Sequence, residues 1–538
     1  MKKIILLSLI FFTLIASNSC KKSLDVASSR VVNEVNYWNT LEDARAGIMG
    51  VYGLTRAALA DNNGHWIYGD VRMGNFVSPV RQDLKAVVNN DLNASYPVVN
   101  QLSNWRRFYA VVNAANTFIE RIGEVKKKDP RYTSNNMQVD LAQIRFLRAF
   151  AYFYMARIWG DVPLILTTHD GTFENRPRTS QGAVLSYAQG EMEAAALELP
   201  YVYSANDLQQ PGQYYNQGSG RWGGALIAKL GAYAMAAQVA AWQGKYADVV
   251  KYTRIVMTEF PARNPSLIGS GASAYNNGYV SAPTLTDPAG IFYKQANTAN
   301  PAQLFGLSFV WDNQDAAFTG NIESLTLAAP VVNKNVPDIY VPKDSILSIF
   351  KEPNDARFVI DTTGITYADA LTKQGYFTNF QGRYPIFAKI KSIMGGEKDP
   401  TFRIFSSSIL LTRFEDVTLL RAEAYAVLGE TTLAINDLNA VRKYRYNVDQ
   451  VGIRNNDQND YTPYSAAKHG PVIEAIFKER QKEFMGEGHR WYDRVRYEKI
   501  KQNNPQFMQM ISTGAIYWPI AKEIIAQNPL ITQNSFWK

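Results

Sequence analysis

The sequence predicts a mainly α-helical protein, in which a scaffold of helical repeats carries long irregular loops and a few short β-strands. Three observations lead to this prediction. Amphipathic helical runs alternate with loops rich in Gly, Asn, Pro and Ser, two helical pairs share one internal spacing, and residues 262–400 contain only short β-like runs. A chain of 538 residues can also bury a core large enough to stabilise such a scaffold.

The shared spacing defines two predicted helical hairpins. The first has Ala237, Ala240, Gly244, Val249, Thr253 and Val256, and the second has Ala422, Tyr425, Gly429, Ala434, Leu438 and Val441 at the same intervals. This order of small, large and turn residues is typical of tetratricopeptide units, whose small residues let two antiparallel helices approach closely. A third, split unit is predicted from a helix over Leu141–Trp159 and a later half-match at Ala188, Met192, Ala195 and Pro200.

The segments that connect the predicted hairpins have short β-like patterns rather than helical ones. Leu304–Val310 and Val359–Tyr367 are β-like runs set among Asn-, Gly- and Pro-rich segments. Helical scaffolds with long irregular excursions commonly place their ligand site on those excursions. We therefore expect the loops to carry the function and the helices to position them.

The N-terminus has the order of an export signal. Lys2 and Lys3 are positive, Ile4–Ile15 is apolar, and small or polar residues lead to Cys20, the only cysteine. The apolar run spans about 18 Å as a helix at ~1.5 Å per residue, which is shorter than the roughly 30 Å of a bilayer core. We predict that residues 1–19 are removed and that Cys20, which resembles the acceptor of bacterial lipoproteins, receives lipid. The alternative is an ordinary secreted protein with a free thiol.

Composition and motifs argue against several other functions. The chain has 56 Lys and Arg against 48 Asp and Glu, without a long basic run, so we expect no nucleic-acid partner. The four histidines lack metal-ligand spacing, so neither a metal nor another cofactor is predicted. Gly218, Gly220 and Gly223 form a GxGxxG pattern, but no apolar strand precedes it, which argues against a dinucleotide site. HExxH, GxSxG and Walker motifs do not occur.

Five blocks, in order along nearly the whole chain, resemble the RagB/SusD family of Bacteroidetes surface lipoproteins. They are Tyr37–Trp38 with Asp43, Gly50 and Tyr52; Leu147–Phe153 with Trp159–Pro163; Arg413–Val417 with Arg421–Ala424; Glu479–Phe484 with Glu487–Arg496; and Trp518–Ile520 with Glu523–Ile524 and Asn528–Asn534. The resemblance implies a SusD-like fold. It divides the chain into a signal peptide at 1–19, an N-terminal SusD-like helical region at 20–262 and a C-terminal RagB/SusD region at 263–538, the last two forming one compact body.

The resemblance also implies a function. Family members capture nutrients, so we expect a lipoprotein on the outer face of the outer membrane that binds oligosaccharides and delivers them to a SusC-like TonB-dependent transporter. No catalytic residue is implied, and no cofactor besides the N-terminal lipid. The alternatives are oligopeptide capture, as in RagB-like members, and glycoside hydrolysis.

The block Glu479–Arg496 contains Glu483, Glu487, His489 and Asp493, a set that could suggest catalysis. Its charges recur three or four positions apart, which on one helix places opposite signs in stripes where they pair. Glycoside hydrolysis instead needs two carboxyl groups facing each other across a cleft about 5 to 10 Å wide. We therefore predict a structural role for this block.

Two loops form the predicted ligand-binding region. The resemblance places part of the glycan site between His65 and Asn75 and a second part in Phe309–Gln314. Aromatic rings bind the C–H faces of sugars, while amide, carboxylate and guanidinium groups bind their hydroxyls. The predicted ligand contacts are Trp66, Tyr68, Asp70, Arg72, Asn75, Trp311 and Asn313, whereas Trp159, Tyr425 and Trp491 are expected in the core.

Overall fold

Helical hairpins joined by long connections make up the protein, as seen in a computed structural model. The structure describes residues 37–168, 174–204, 206–263, 275–276, 278–310, 315, 320–352, 355–358, 375–392, 406–446 and 463–538. The export signal with Cys20, the run Val359–Tyr367, and the residues Trp311 and Asn313 lie outside these ranges, so what was predicted for them stays a prediction.

Helices of the described residues are, in chain order, α1 Leu41–Ala60, α2 Gly64–Trp66, α3 Gln82–Val88, α4 Pro97–Leu102, α5 Arg106–Lys128, α6 Ser134–Trp159, α7 Gln181–Glu198, α8 Ser219–Trp222, α9 Lys229–Gln243, α10 Tyr246–Arg263, α11 Ile322–Thr326, α12 Lys343–Ile349, α13 Phe414–Val427, α14 Thr431–Tyr446, α15 Ala466–His469, α16 Val472–Glu483, α17 Arg490–Lys501, α18 Pro505–Thr513 and α19 Lys522–Gln527. The strands are β1 Tyr275–Asn276, β2 Tyr279–Val280, β3 Phe305–Leu307, β4 Phe377–Thr378, β5 Ile386–Phe387 and β6 Ile409–Thr412.

Both predicted hairpins are confirmed as α9–α10 and α13–α14. The helix residues of the shared spacing are buried, which explains why small residues occupy them. Gly244 and Gly429 turn the chain between the helices at φ values of 76° and 85°, a conformation that glycine adopts readily. The split unit is present too, since α6 packs against α7, although α6 begins seven residues before the predicted Leu141. Helix α10 also packs on α13, so the two hairpins stack.

The expected short strands are found in the described residues as three antiparallel pairs of two strands each. The centre of the predicted run Leu304–Val310 forms β3, which pairs with β6 so that Phe305 lies opposite Thr412. Strand β6 leads directly into α13. The pair therefore fixes the connection after the first hairpin to the start of the second.

The charged block Glu479–Arg496 was predicted to form one helix. That prediction was wrong, because the block is divided between two helices. Helix α16 ends at Glu483 and α17 begins at Arg490, with a turn between them. Gly486 and Gly488 lie in this turn at φ values of 80° and 78°, which break the helical path. We call residues 484–489 the signature turn.

One cluster of packed apolar side chains extends from Trp38 to Trp537 and draws on both sides of residue 262. Trp159, Tyr425 and Trp491 belong to it, as predicted. The division of the chain at 262 stays a prediction. Within the described part of the chain, no helix is both long and apolar enough to cross a membrane.

Candidate functional site

The first predicted binding segment was expected to be a loop, which was wrong for its first half, because α2 is followed directly by a π-helix at Ile67–Val71. We call the whole segment, residues 65–75, the first loop, and its residues 65–72 are buried. Trp66 and Tyr68 are only 2% and 1% exposed. The Trp66 indole donates a hydrogen bond to the carbonyl oxygen of Gly486 at 3.0 Å, and the Tyr68 hydroxyl donates to that of Leu102 at 2.6 Å. Both side chains therefore hold the loop against neighbouring segments.

Asp70 is buried in the same seam. Its carboxylate accepts a hydrogen bond from the backbone N–H of Gly488. Burial raises the pKa of Asp70 to about 7, although this N–H favours the ionised form. A Cβ atom at Gly69 would lie 2.1 Å from the carbonyl oxygen of Gly488, so the loop can approach the signature turn only with glycine here.

Arg72 fastens the loop to the C-terminal segment. Its guanidinium donates to the carbonyl oxygens of Ile516 at 2.6 Å and Ala515 at 2.7 Å, and lies 4.3 Å from the centre of the Trp491 ring. Burial lowers the pKa of Arg72 to about 9. The four buried side chains of this loop present no surface to a ligand in the structure as it stands. Their ligand contacts stay a prediction, and one that requires the loop to leave its seam.

Asn75, at the end of the loop, is half-buried and accepts a hydrogen bond from Gln481 at 2.7 Å. Its predicted ligand contact also stays a prediction. The second predicted loop begins beside an open depression, because Val310, which directly precedes the undescribed Trp311, lies in its wall.

We call this depression the first cleft. It has a volume of about 390 Å³, within the range of ligand pockets. Helix α1, the segment from α8 to α9 and the residues around β3 form its walls. The lining residues are Met49, Tyr52, Gly53, Arg56, Arg221, Trp222, Ala225, Leu226, Lys294, Ala296, Leu307, Ser308 and Val310.

Arg56 is the cation that the first cleft holds in a fixed orientation. Its guanidinium donates to the carbonyl oxygen of Ser308 at 2.8 Å, pairs with Asp315 and stacks 4.4 Å from the centre of the Phe309 ring. About a third of its side chain stays exposed, at 31%. Because a guanidinium has five N–H donors, Arg56 can hold its neighbours and still donate to a bound molecule.

Two aromatic residues form the inner wall of the first cleft. The Tyr52 hydroxyl donates to Gln143 at 3.0 Å and accepts the backbone N–H of Ile227 at 2.9 Å. The Trp222 indole donates to the carbonyl oxygen of Tyr214 at 3.1 Å. Since these contacts satisfy the polar atoms of both rings, the wall is fixed before any ligand arrives.

The GxGxxG pattern has a packing role beside this wall. A Cβ atom at Gly220 would lie 2.3 Å from the carbonyl oxygen of Asn297, and one at Gly223 would lie 2.7 Å from the Cβ of Ala299. Gly218, in contrast, has no heavy atom within 4 Å of such a position. The glycines therefore let residues 297–300 pack against the cleft wall. This agrees with the sequence argument against a dinucleotide site.

A buried carboxylate lies behind the first cleft, in contact with hydroxyl groups. Asp140 accepts hydrogen bonds from the hydroxyls of Tyr214 at 2.5 Å and of Tyr132 and Tyr215 at 2.7 Å. Gln143 donates to the Tyr214 hydroxyl and so joins this group to the wall of the cleft. Burial raises the pKa of Asp140 to about 7, and the three hydroxyls oppose the shift. We call these residues the tyrosine–aspartate cluster.

The charged block identified in the sequence forms a buried ion-pair network. Glu483 pairs with Arg357 at 2.9 Å, Arg413 at 2.8 Å and Arg445 at 2.7 Å, and all four side chains are at most 1% exposed. Burial alone would raise the pKa of Glu483, but Arg445 and Arg413 hold it well below its usual range. The carboxylate is therefore bound as an anion and is not placed to transfer a proton to a ligand.

The other acids of the block are paired in the same way. Glu487 binds Lys389 and Arg413, and Asp493 binds Arg480 and Arg496. The expected pairing is confirmed. The prediction that the pairs run along one helix was wrong for Glu483 and Glu487, whose partners lie on other elements. Pairs within a single helix are found at Asp493 with Arg496 and at Arg494 with Glu498. Among the described residues, no group of three or more His, Cys, Asp or Glu is placed to hold a metal ion.

Comparison with known proteins defines the family. A SusD family model matches residues 354–513, and a model described as "Starch-binding associating with outer membrane" matches residues 63–213. A solved SusD superfamily protein from Bacteroides thetaiotaomicron is 42% identical, with a TM-score of 0.78 over 93% of this chain and 99% of that chain. The chain belongs to the SusD family.

Other SusD proteins align over similar lengths. SusD-like protein P38 from Formosa agariphila is 25% identical over 99% of both chains. A SusD homolog of known structure from Bacteroides thetaiotaomicron is 21% identical, with a TM-score of 0.69 over 93% of this chain and 99% of that chain, and it shares the fold. The mainly α SusD-like fold inferred from the five blocks is thus confirmed.

The two SusD family models match the scaffold and leave out the first cleft. Every residue lining this cleft lies outside 63–213 and 354–513. Sequence reasoning missed Arg56, Trp222 and Tyr52 as cleft residues, although Tyr52 belongs to the first of the five blocks that resemble the family. Their positions in three separate segments leave no local spacing by which the sequence could have brought them together.

Proposed function

We propose that this protein is a lipid-anchored binding protein on the outer face of the outer membrane, which captures oligosaccharides and delivers them to a SusC-like TonB-dependent transporter. The first cleft binds the oligosaccharide, together with the predicted contacts Trp311 and Asn313, which follow Val310 in the sequence. Membership of the SusD family and the family description as starch-binding and outer-membrane-associated support this proposal.

One observation carries the proposal: the first cleft combines fixed aromatic walls with the guanidinium of Arg56, whose side chain is about a third exposed. Tyr52 and Trp222 are 8% and 4% exposed, and the parts of their rings that line the cleft offer apolar surface for the C–H faces of a sugar. Arg56 and the hydroxyl of Ser308, which donates to the carbonyl oxygen of Gly224 at 3.1 Å, offer polar groups for hydroxyls. A polyhydroxylated ligand with apolar faces matches this arrangement.

Binding without turnover is favoured over glycoside hydrolysis. The carboxylates Glu483, Glu487 and Asp493 are buried and committed to arginine and lysine side chains. Because these carboxylates are buried, a sugar cannot lie between one of them and a second acid. SusD family members are binding proteins rather than enzymes, which agrees with this arrangement.

Calorimetric titration of the purified lipoprotein in mild detergent tests the ligand class. We expect malto-, xylo- or manno-oligosaccharides to bind, and the sugars recovered afterwards to be uncleaved. Replacing the exposed cleft residue Arg221 with Ala should weaken binding, while Arg131→Ala, a change of an exposed arginine outside the first cleft, should not. Cleaved products would favour the hydrolase, and affinity for oligopeptides but not glycans would overturn the proposed ligand.

Fractionation of cells tests the anchor. A lipidated Cys20 holds the mature protein in the membrane, because acyl chains bury their methylene groups in the bilayer. We expect Cys20→Ala to move the protein into the soluble fraction. Retention of this variant in the membrane fraction would contradict lipid anchoring.

Co-purification tests the partner. A binding protein on the cell surface must pass its ligand to a transporter, and stacked helical hairpins such as α9–α10 and α13–α14 present broad surfaces for docking. A TonB-dependent barrel should co-purify with tagged protein from detergent-solubilised membranes in near-equal amount. Recovery of the tagged protein alone, with oligosaccharide present, would argue for a free scavenger.

A further inference from the structure

A second cleft adjoins the first, and we propose that it binds the far end of the oligosaccharide held in the first cleft. This inference rests on the proposed function and names a specificity it would confer, namely a preference for longer chains. The second cleft has a volume of about 300 Å³. Trp222 and Leu226 line both clefts and lie between them, so the two clefts are neighbours separated by this wall, which a long oligosaccharide would cross.

Aromatic and aliphatic side chains form the floor of the second cleft. Tyr203, Phe260 and Leu230 line it and are between 4% and 6% exposed. The Tyr203 hydroxyl donates to the carbonyl oxygen of Ile227 at 2.5 Å, which leaves only the ring for contact. Such a floor suits the C–H face of a sugar ring better than it suits a charged or strongly hydrated group.

A half-buried ring at the rim is held in place by cations. The guanidinium of Arg263 lies 3.6 Å from the centre of the Tyr201 ring, and the ammonium of Lys229 lies 5.3 Å from it. Lys229 also donates to the carbonyl oxygen of Leu197 at 3.0 Å. Tyr201 is therefore a fixed aromatic edge beside the floor, and binding does not have to order it.

Gln303, among the lining residues, carries an unpaired acceptor. It is 4% exposed, and its amide nitrogen donates to the carbonyl oxygen of Ile291 at 2.7 Å. That carbonyl fixes which end of the amide is nitrogen, since two oxygens would otherwise face each other. The other end is thus an oxygen, to which no described residue donates. This oxygen is itself buried and lies beside Gly306, which does not line the second cleft, so Gln303 contributes to the shape of the cleft rather than a hydrogen bond to the sugar.

Backbone atoms shape one wall of the second cleft. A Cβ atom at Gly231 would lie 2.2 Å from the carbonyl oxygen of Leu304, and one at Gly224 would lie 2.9 Å from that of Asn300. Because both contacts involve main-chain atoms, the wall cannot shift easily to admit a larger side chain. The shape of the second cleft is therefore set by the packing of the 299–304 segment on the start of α9.

The test compares short and long sugars within the same series. Titrations use the disaccharide and the hexasaccharide of the malto-, xylo- and manno- series with the full-length lipoprotein. Tyr201→Ala removes the ring at the rim, and Ser219→Trp fills the second cleft from an exposed lining position. Leu208→Ala is the matched control, since Leu208 is 93% exposed and lines neither cleft.

We expect the hexasaccharide to bind more tightly than the disaccharide to the unaltered protein. Tyr201→Ala should reduce that gain by roughly two- to tenfold, as expected for the loss of one ring contact. Ser219→Trp should reduce it by occupying the second cleft, and both variants should leave disaccharide binding unchanged. Equal hexasaccharide affinity in the variants and the unaltered protein would contradict the proposal that the second cleft binds sugar. It would leave the proposed function of the first cleft unaffected. Failure of every sugar to bind the unaltered protein would overturn both.

Discussion

The ion-pair network and the first cleft differ in how deeply their residues are buried and in whether the family models match the sequence that forms them. The network places Glu483 among three arginines that are almost completely buried, within the range matched by the SusD family model. The first cleft places Arg56 against Asp315 with about a third of each side chain exposed, outside both matched ranges. The residues that line the first cleft therefore lie outside the ranges by which the family models match the chain, whereas the ion-pair network lies inside one of them.

This difference means that the residues that stabilise the fold and the residues that select the ligand are separate sets. Buried ion pairs tolerate little change, because removing one partner leaves a charge uncompensated in the interior. An exposed cleft assembled from scaffold helices and loops can change its lining at small cost. The same SusD scaffold can thus carry clefts of different chemistry, so that membership of the family predicts the fold more sharply than the sugar.

Glu483→Gln is the substitution expected to have the largest effect. It leaves Arg357, Arg413 and Arg445 without their shared anion, and we expect a loss of about 3–5 kcal/mol in the free energy of unfolding. Chemical denaturation followed by circular dichroism measures it. Glu42→Gln, which breaks an ion pair with more than half of each side chain exposed, should leave the midpoint unchanged. Equal midpoints for both variants would mean that the buried network contributes no more to stability than an exposed ion pair does.

The helical hairpins could be predicted because their information is local. Ala237 and Ala240, with Gly244 a turn later, specify close helix packing and a left-handed turn within one short segment. The network could not be predicted in detail, since Arg357 lies 126 residues from Glu483 in the sequence. Its charges suggested pairing, but only the fold shows the partners.

The candidate site was harder to predict for the same reason. Trp66 and Tyr68 have the residue types of a sugar site, yet both are buried, Trp66 against the signature turn and Tyr68 against Trp159 and Trp518. Residue type alone does not distinguish a ring that faces a ligand from one that faces the core. Arg56 and Trp222, which do meet in a cleft, are 166 positions apart and belong to no common motif.

Asp140→Asn tests the tyrosine–aspartate cluster, where hydroxyls take the place of the network's cations. Burial raises the pKa of Asp140 to about 7 from 3.8, so the folded state binds the proton more tightly than the unfolded state. The stability that this group contributes is present at low pH and is lost as the pH rises from about 4 to about 7. Each unit of pKa difference corresponds to about 1.4 kcal/mol.

Denaturation of both proteins across this pH range measures the effect. Relative to Asp140→Asn, we expect the unaltered protein to lose up to about 4 kcal/mol between about pH 4 and about pH 8. Asp129→Asn is the control, because hydrogen bonds from Arg131 lower the pKa of Asp129, and its contribution is therefore constant over this range. A constant difference between Asp140→Asn and the unaltered protein would mean that the three hydroxyls stabilise the carboxylate as well as cations do.

Gly220→Ala should have an intermediate effect on stability, and this effect should arise at the first cleft rather than in the ion-pair network. The added methyl group would approach the carbonyl oxygen of Asn297 to 2.3 Å and push residues 297–300 away from the cleft wall. We expect a loss of about 1–3 kcal/mol in stability, typical of overpacking, together with weaker oligosaccharide binding in calorimetry. Gly218→Ala, two positions away in open space, is the matched control. Identical behaviour of the two variants would contradict the packing role of these glycines.

Arg56→Ala should have the smallest effect on stability and a clear effect on binding, and it therefore tests the comparison most directly. Its ion pair with Asp315 is partly exposed, so the free energy of unfolding should fall by no more than about 1 kcal/mol. A hydrogen bond from a charged group to a ligand contributes about 1.5–3 kcal/mol, so sugar affinity should fall by roughly tenfold or more. Denaturation and titration of the same preparation measure both quantities. A large loss of stability with unchanged affinity would place Arg56 with the buried network rather than with the cleft, because a residue that only supports the fold changes the first quantity and not the second.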